Sequence, residues 1–198
     1  GNLISYGELL DEVTRFSSGL MHLGIQRGER VAIYLEKRFE TVIASFGAPA
    51  AGGVFVPLNP LLKAEQVGYI LRDCNVRVLV TSPERLALLE ETLPACPDLR
   101  HVVVLDSAEP LPTIYGLNLC RWRDLLAAPA MPGHRVIDTD VVSILYTSGS
   151  TGKPKGVVLS HRNMVAGAKS VASYLENRAD DTLLAALPLS FDAGFSQL

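Results

Sequence analysis

The chain has 198 residues, 48% of them hydrophobic, and a formal net charge of −3 at pH 7. That is enough apolar material for a sizeable core in one domain or two small ones, and the lack of a basic stripe or arginine-rich run argues against a nucleic-acid partner. The four histidines show no metal-ligand spacing, and Cys74, Cys96 and Cys120 are too few and too far apart for a disulfide framework, which points to reduced thiols in a cytoplasmic protein.

Ser5-Tyr-Gly-Glu8 is a capping box, and Leu9, Val13, Phe16, Leu20 and Leu23 follow at steps of four and three, so a helix is expected to about Gly24. Arg30–Leu35 reads as a strand. A helix over roughly 38–50 precedes a strand at Val54–Val56, and Val67, Ile70, Leu71 and Cys74 mark a third helical face. Residues 41–62 are uncharged, but three glycines and three prolines make them helix, turn and strand rather than a membrane span. Val76–Val80 is the next strand. Ser82-Pro83 opens a helix as cap and first-turn proline, with Leu86, Leu89 and Leu93 inward, before a strand at His101–Leu105.

Strands that recur about every 23 residues with helical patterns between them indicate βαβ units. The near-continuous apolar runs imply helices on both faces, hence an α/β fold with a mostly parallel sheet. Pro110, Pro112, Pro129 and Pro132 break the rhythm over 106–138, where a looser connection is expected with a short helix around Trp122–Leu126. Val141–Tyr146 and Gly156–Leu159 have strand composition. Ser160 caps a strongly amphipathic helix through Met164, Val165, Ala168, Val171, Ala172 and Leu175, and a strand is expected at 182–187.

Between the two strand runs lies Tyr146-Thr-Ser-Gly-Ser-Thr-Gly-Lys-Pro-Lys-Gly-Val157. Gly149, Gly152 and Gly156 allow a backbone to approach an anion with N–H groups turned inward. Thr147, Ser148, Ser150 and Thr151 add hydroxyl donors, and Lys153 and Lys155 add two charges for charge-assisted hydrogen bonds. The composition is that of a phosphate cradle, set against the plainer reading of a solvated connector. It is not a Walker loop: Thr147 stands where the first glycine would be, and Pro154 follows the lysine and opposes the helix such a loop feeds.

These residues resemble the signature phosphate loop of the adenylate-forming superfamily, which comprises acyl-CoA synthetases, luciferases and the adenylation domains of peptide synthetases. Ala51–Pro60, Ser160-His-Arg-Asn163 and Leu187-Pro-Leu-Ser-Phe-Asp192 are similar to further segments of that family, the last to its aromatic gate over the acyl pocket. The resemblance implies the N-terminal part of an acyl-CoA synthetase-like fold. Residues 1–138 would be a first α/β subdomain, incomplete at its start, and 139–198 the phosphate-loop hairpin, a helix and the beginning of a second subdomain, without the C-terminal lid domain. It also implies ATP-dependent conversion of a carboxylic acid to an acyl adenylate, then transfer to the thiol of coenzyme A or of carrier phosphopantetheine, with Mg2+ sharing the phosphate charge through Thr147 or Thr151. The expected ATP-phosphate residues are Thr147, Ser148, Gly149, Ser150, Thr151, Gly152, Lys153, Lys155 and Gly156.

Other family elements fall beyond Leu198, so the chain is expected to be an internal fragment without activity of its own and without a confident catalytic residue. Phe191 is read as the gate or as core. Asp192 is read as a carboxylate for a substrate ammonium group, as in amino-acid adenylation domains, or as a helix cap. His161, at a helix start, either approaches a phosphate or is a surface residue near a cap. An amino-acid adenylation domain and a non-catalytic nucleotide-binding module stand as alternatives to the acyl-CoA ligase, and the acid and the oligomeric state are not legible.

Overall fold

In the computed structural model, which describes residues 3–106, 110–147 and 153–198, the apolar runs become the middle of one seven-stranded sheet. Its strands are β1 (Arg30–Tyr34), β2 (Val54–Pro57), β3 (Val76–Thr81), β4 (His101–Val104), β5 (Asn118–Arg121), β6 (Val141–Thr147) and β7 (Lys155–Ser160), lying side by side as β5-β4-β3-β1-β2-β6-β7. Neighbours are parallel from β5 to β6, and β7 alone is antiparallel to its partner.

Alternation along the strands sends side chains to two apolar cores. On one face Val31, Ile33, Val78, Val80 and Val103 meet α1 (Tyr6–His22), α2 (Phe39–Ala50) and α5 (Trp122–Leu126). There Phe16 stacks on Trp122 with ring centroids 4.9 Å apart. On the other face Ala32, Val56, Leu79, Val102 and Val104 meet α3 (Ala64–Asp73) and α4 (Pro83–Leu89). The capping box at Ser5 and Glu8 is formed, and Ser82 caps α4 by accepting from the Arg85 N–H.

Four details differ from the sequence expectation. The looser connection contains β5, a four-residue edge strand paired to β4 in which only Leu119 and Cys120 pack on the cores, too short an apolar run to mark it in the sequence. Leu93 is buried, yet α4 ends at Leu89 and Leu93–Ala95 forms a separate 3-10 turn; Pro94 has no N–H to continue the helix. Residues 182–187 form no strand. They pair with no described strand; Lys37 donates to the Leu187 and Ala185 carbonyls, the Leu187 N–H donates to Gln197, and the Ala186 N–H donates to the Leu184 carbonyl. Finally α6 (His161–Tyr174) has its capping box at Ser160 and Asn163, but buries none of its residues among those described.

The close approach of α1 and α5 gives a test in which two effects oppose each other. Alanine in place of a mid-helix glycine normally stabilises by about 1 kcal/mol, but a Cβ on Gly19 would sit 2.5 Å from the Leu125 carbonyl oxygen. Gly19→Ala is expected to lower the stability by about 1–3 kcal/mol, the overpacking range, read as a lower urea midpoint; a raised midpoint would contradict this packing.

Candidate nucleotide site

A sheet buried on both faces leaves its strand ends as the place for polar chemistry, and in open α/β sheets ligands bind beyond the carboxyl ends of the strands. Because β6 is parallel to β2, its carboxyl end carries Tyr146 and Thr147 to the side on which β1 ends at Tyr34 and β2 at Pro57. Strand β7 returns from that end, with Thr147 opposite Lys155 and Tyr146 opposite Gly156. The strand-loop-strand reading of the lysine-rich segment therefore holds, and no helix follows Lys153.

Thr147, Lys153, Lys155 and Gly156 of the expected phosphate loop are described; Ser148, Gly149, Ser150, Thr151 and Gly152 lie outside the described residues. Lys153 and Lys155 are exposed, so both ammonium groups face solvent at the sheet's carboxyl end. The Thr147 hydroxyl is 3.5 Å from the Lys155 carbonyl oxygen. Gly156 is glycine for a steric reason: a Cβ there would lie 2.7 Å from Ile144 Cγ2 and 3.3 Å from Tyr146 Cζ. The Tyr146 ring thus lies across the glycine, and its hydroxyl donates to Asp73 Oδ2 at 2.6 Å. Burial first, and then the Asp73 carboxylate, hold the Tyr146 phenol in its protonated form well above the usual tyrosine range.

Beside the hairpin is a cavity of about 440 Å³ lined by Leu58, Gln66, Tyr146, Thr147, Ser190 and Phe191, among others. Phe191 stands at the rim, 43% exposed, and is not core; the aromatic of this segment that packs inward is Phe195, whose ring centroid is 4.9 Å from that of Phe55. Asp192 opens the short helix α7 (Asp192–Phe195) as its first residue and is exposed, while the cap position is Phe191, so the capping reading of Asp192 is not met. His161 is carried away from the loop. Ser160, just before it, pairs with Val141 at the far end of the hairpin, about 16–17 Å from Lys155 at strand spacing.

Sequence reasoning missed Ser190, a residue that lines this cavity and whose buried hydroxyl has no hydrogen-bond partner among the described residues. Its only sequence signal was its place beside Phe191. No group of three or more His, Cys, Asp or Glu side chains among the described residues could hold a metal.

The fold and the hairpin define a doubly covered α/β domain with two exposed lysines at the carboxyl end of its sheet. The family model for AMP-binding enzymes matches residues 1–198, and the chain belongs to that family. It is 35% identical over 191 residues to the 4-hydroxybenzoate–CoA/benzoate–CoA ligase of Rhodopseudomonas palustris, covering 96% of this chain and 34% of that protein. It is 30% identical over 190 residues to gramicidin S synthase 2 of Brevibacillus brevis, covering 96% of this chain and 4% of that protein. The crystal structure of ATP-bound MatB from Rhodopseudomonas palustris superimposes with a TM-score of 0.82 at 26% identity, over 100% of this chain and 37% of that one. The chain spans about a third of the length of the ligase among these curated relatives.

The thiols offer no nucleophile. Burial pushes Cys74 and Cys120 up to about 11, and Cys96 upward too, so all three stay protonated at neutral pH. Iodoacetamide labelling of Cys74 and Cys120 in the folded chain at pH 8 is expected to be at least about tenfold slower than in the unfolded chain, since less than about one in a hundred of these two thiols would be ionised; equal rates would contradict this burial.

Proposed function

We propose that the chain is the ATP-phosphate-binding part of a larger AMP-forming acid–thiol ligase. The observation that carries the reading is the hairpin that sets Thr147, Lys153 and Lys155 at the carboxyl end of the sheet, beside the cavity rimmed by Phe191, in a chain of the AMP-binding family. ATP is supported by the ATP-bound MatB relative, and a thioester product by the ligase relative.

In the first step a carboxylate oxygen of the acid attacks the α-phosphorus of ATP, the bond to the β-phosphate bridging oxygen breaks, and pyrophosphate leaves. Pyrophosphate gains negative charge as it departs, so cations fixed at the β- and γ-phosphates lower the barrier. Lys153 and Lys155 are assigned this task, with the hydroxyls and N–H groups of Thr147 and residues 148–152 holding the phosphates in position. Magnesium supplies further neutralisation when bound. In the second step the acceptor thiol, of coenzyme A or of a carrier phosphopantetheine, adds to the acyl carbon. AMP leaves with the bridging oxygen and the thiol proton goes to solvent or to a base elsewhere in the protein. Phe191 and Ser190 line the path between loop and acyl group.

The division into 1–138 and 139–198, the cytoplasmic location and the inactivity of this chain alone belong to the same proposal. No described helix is long and apolar enough to cross a membrane.

One observation supports the amino-acid adenylation alternative: the Phe191-Asp192 pair in a chain similar to gramicidin S synthase 2. Asp192 is exposed and does not line the cavity, which favours a plain carboxylate as substrate. The intact lysine pair argues against a module that binds nucleotide without turnover.

ATP–pyrophosphate exchange by the full-length protein, with a panel of fatty and aryl acids and the common amino acids, tests the reading. Exchange with plain acids is expected, and Lys153→Ala is expected to lower it by about 100-fold or more, the cost of removing one group that stabilises developing charge. Exchange with amino acids alone would transfer the assignment to the alternative, and a Lys153→Ala variant as active as the parent would remove the loop from the mechanism.

A further inference from the structure

Helix α3 ends beneath the hairpin with two polar side chains on one face, Tyr69 and Asp73, four residues apart and so stacked one turn above the other. Asp73 Oδ2 accepts from the Tyr146 hydroxyl at 2.6 Å, one residue before β6 ends at Thr147. The Tyr69 hydroxyl lies 3.4 Å from Asp73 Oδ1 and 3.4 Å from the Pro154 carbonyl oxygen, where the chain returns towards β7. Lys153 Nζ sits 6.0 Å from the centre of the Tyr69 ring, within reach of a cation–π attraction. Both ends of one loop are therefore held by a single helix face.

We propose that Asp73 and Tyr69 are positioning residues for the two ends of the 147–153 segment: Asp73 holds the β6 end by accepting from the Tyr146 hydroxyl, and Tyr69 holds the β7 end when its hydroxyl donates to the Pro154 carbonyl. The inference rests on the reading of that loop as the ATP-phosphate holder.

The physical need for such a clamp is entropic. The loop contains two glycines, Gly149 and Gly152, and glycine loses more conformational freedom on ordering than any other residue. Fixing both ends of a glycine-bearing segment lowers the entropy that binding would otherwise have to supply. The hydrogen bond from Tyr146 to Asp73 is made to a carboxylate, the stronger kind, and it spans 73 positions of sequence, so it fixes the hairpin to the sheet's helical layer rather than to itself. The glycine at 156 serves the same contact, since the close packing of Tyr146 across it leaves no room for a side chain. Lys153 gains a second constraint: the Tyr69 ring face holds its ammonium group near the loop exit without neutralising it, as a carboxylate partner would.

The test uses the full-length protein carrying Asp73→Ala, Asp73→Asn, Tyr146→Phe and the double variant Asp73→Ala/Tyr146→Phe. Asp73 is exposed, so its replacement leaves the fold in place, and circular dichroism with a melting curve checks this. Asp73→Ala and Tyr146→Phe are each expected to raise the KM for ATP about tenfold, the effect of losing one hydrogen bond to a charged group. The double variant should be no worse than either single one, and Asp73→Asn, which keeps an acceptor oxygen, should recover most of the loss. Additive effects, or an unchanged KM in both single variants, would overturn the proposal.

Amide hydrogen exchange without nucleotide separates the clamp from the phosphate reading. Asp73→Ala should speed exchange in 144–147 and 155–158 about tenfold relative to the parent. Unchanged exchange there would overturn the clamp whatever ATP does. Faster exchange in a parent protein that fails to bind ATP would support the clamp and sink the assignment of the loop to phosphate.

Discussion

A parallel sheet buried on both faces can carry almost no polar side chains along its length, and this constraint organises the rest of the molecule. Val31, Ala32, Ile33, Leu79, Val80, Val102 and Val103 are all essentially inaccessible, alternating between the cores beneath α1, α2 and α5 and beneath α3 and α4. Groups that must meet water or a charged ligand are pushed to the strand ends. At the amino ends Arg77 bridges Glu29 and Asp98, and Arg27 pairs with Asp140. At the carboxyl ends of β2 and β6 such pairing gives way to a cavity and two exposed lysines. The two exposed lysines at that end are the cations to which the proposed function assigns the phosphates.

The antiparallel β7 is the second consequence. A parallel crossover after β6 would need a long connection and a helix, whereas a hairpin returns the chain at once and keeps both ends of the loop on adjacent strands. Thr147 and Lys155 are cross-strand partners for that reason. The hairpin lies at the sheet edge, where β7 has no further described neighbour, and it gains long-range anchorage through Tyr146 and Asp73. Ladder, glycine contact and phenol hydrogen bond all converge on residue 146, one position before the first residue assigned to phosphate.

Much of this was legible because local and global signals agree. The capping residues Ser5, Ser82 and Ser160, the helical spacing of Phe16 and Leu20, and the continuous apolar runs at β1, β3 and β4 each specify the element they form. The elements that escaped are those whose state is decided by neighbours. Asn118–Arg121 becomes a strand because it pairs with β4, whereas 182–187 pairs with no described strand. At the site, the loop residues announce their chemistry through composition and order, while Phe191 and Asp192 do not. Only the geometry separates the rim position of Phe191 from the inward packing of Phe195, and only the register shows that His161 belongs to the wrong end of the hairpin. Asp73 gave no sequence signal at all, because its partner is 73 positions away.

The central claim is that the loop between β6 and β7 serves attack of a carboxylate on the α-phosphorus of ATP. Its most direct measurement follows an oxygen: the full-length protein is given ATP, an acceptor thiol and a carboxylic acid labelled with ¹⁸O in its carboxylate, and the AMP is examined by mass spectrometry. Adenylation predicts one ¹⁸O in the phosphate of AMP, because the oxygen that bridged acyl group and phosphorus stays with phosphorus when the thiol takes the acyl group. Unlabelled AMP, or label appearing in inorganic phosphate alongside ADP, would contradict the account.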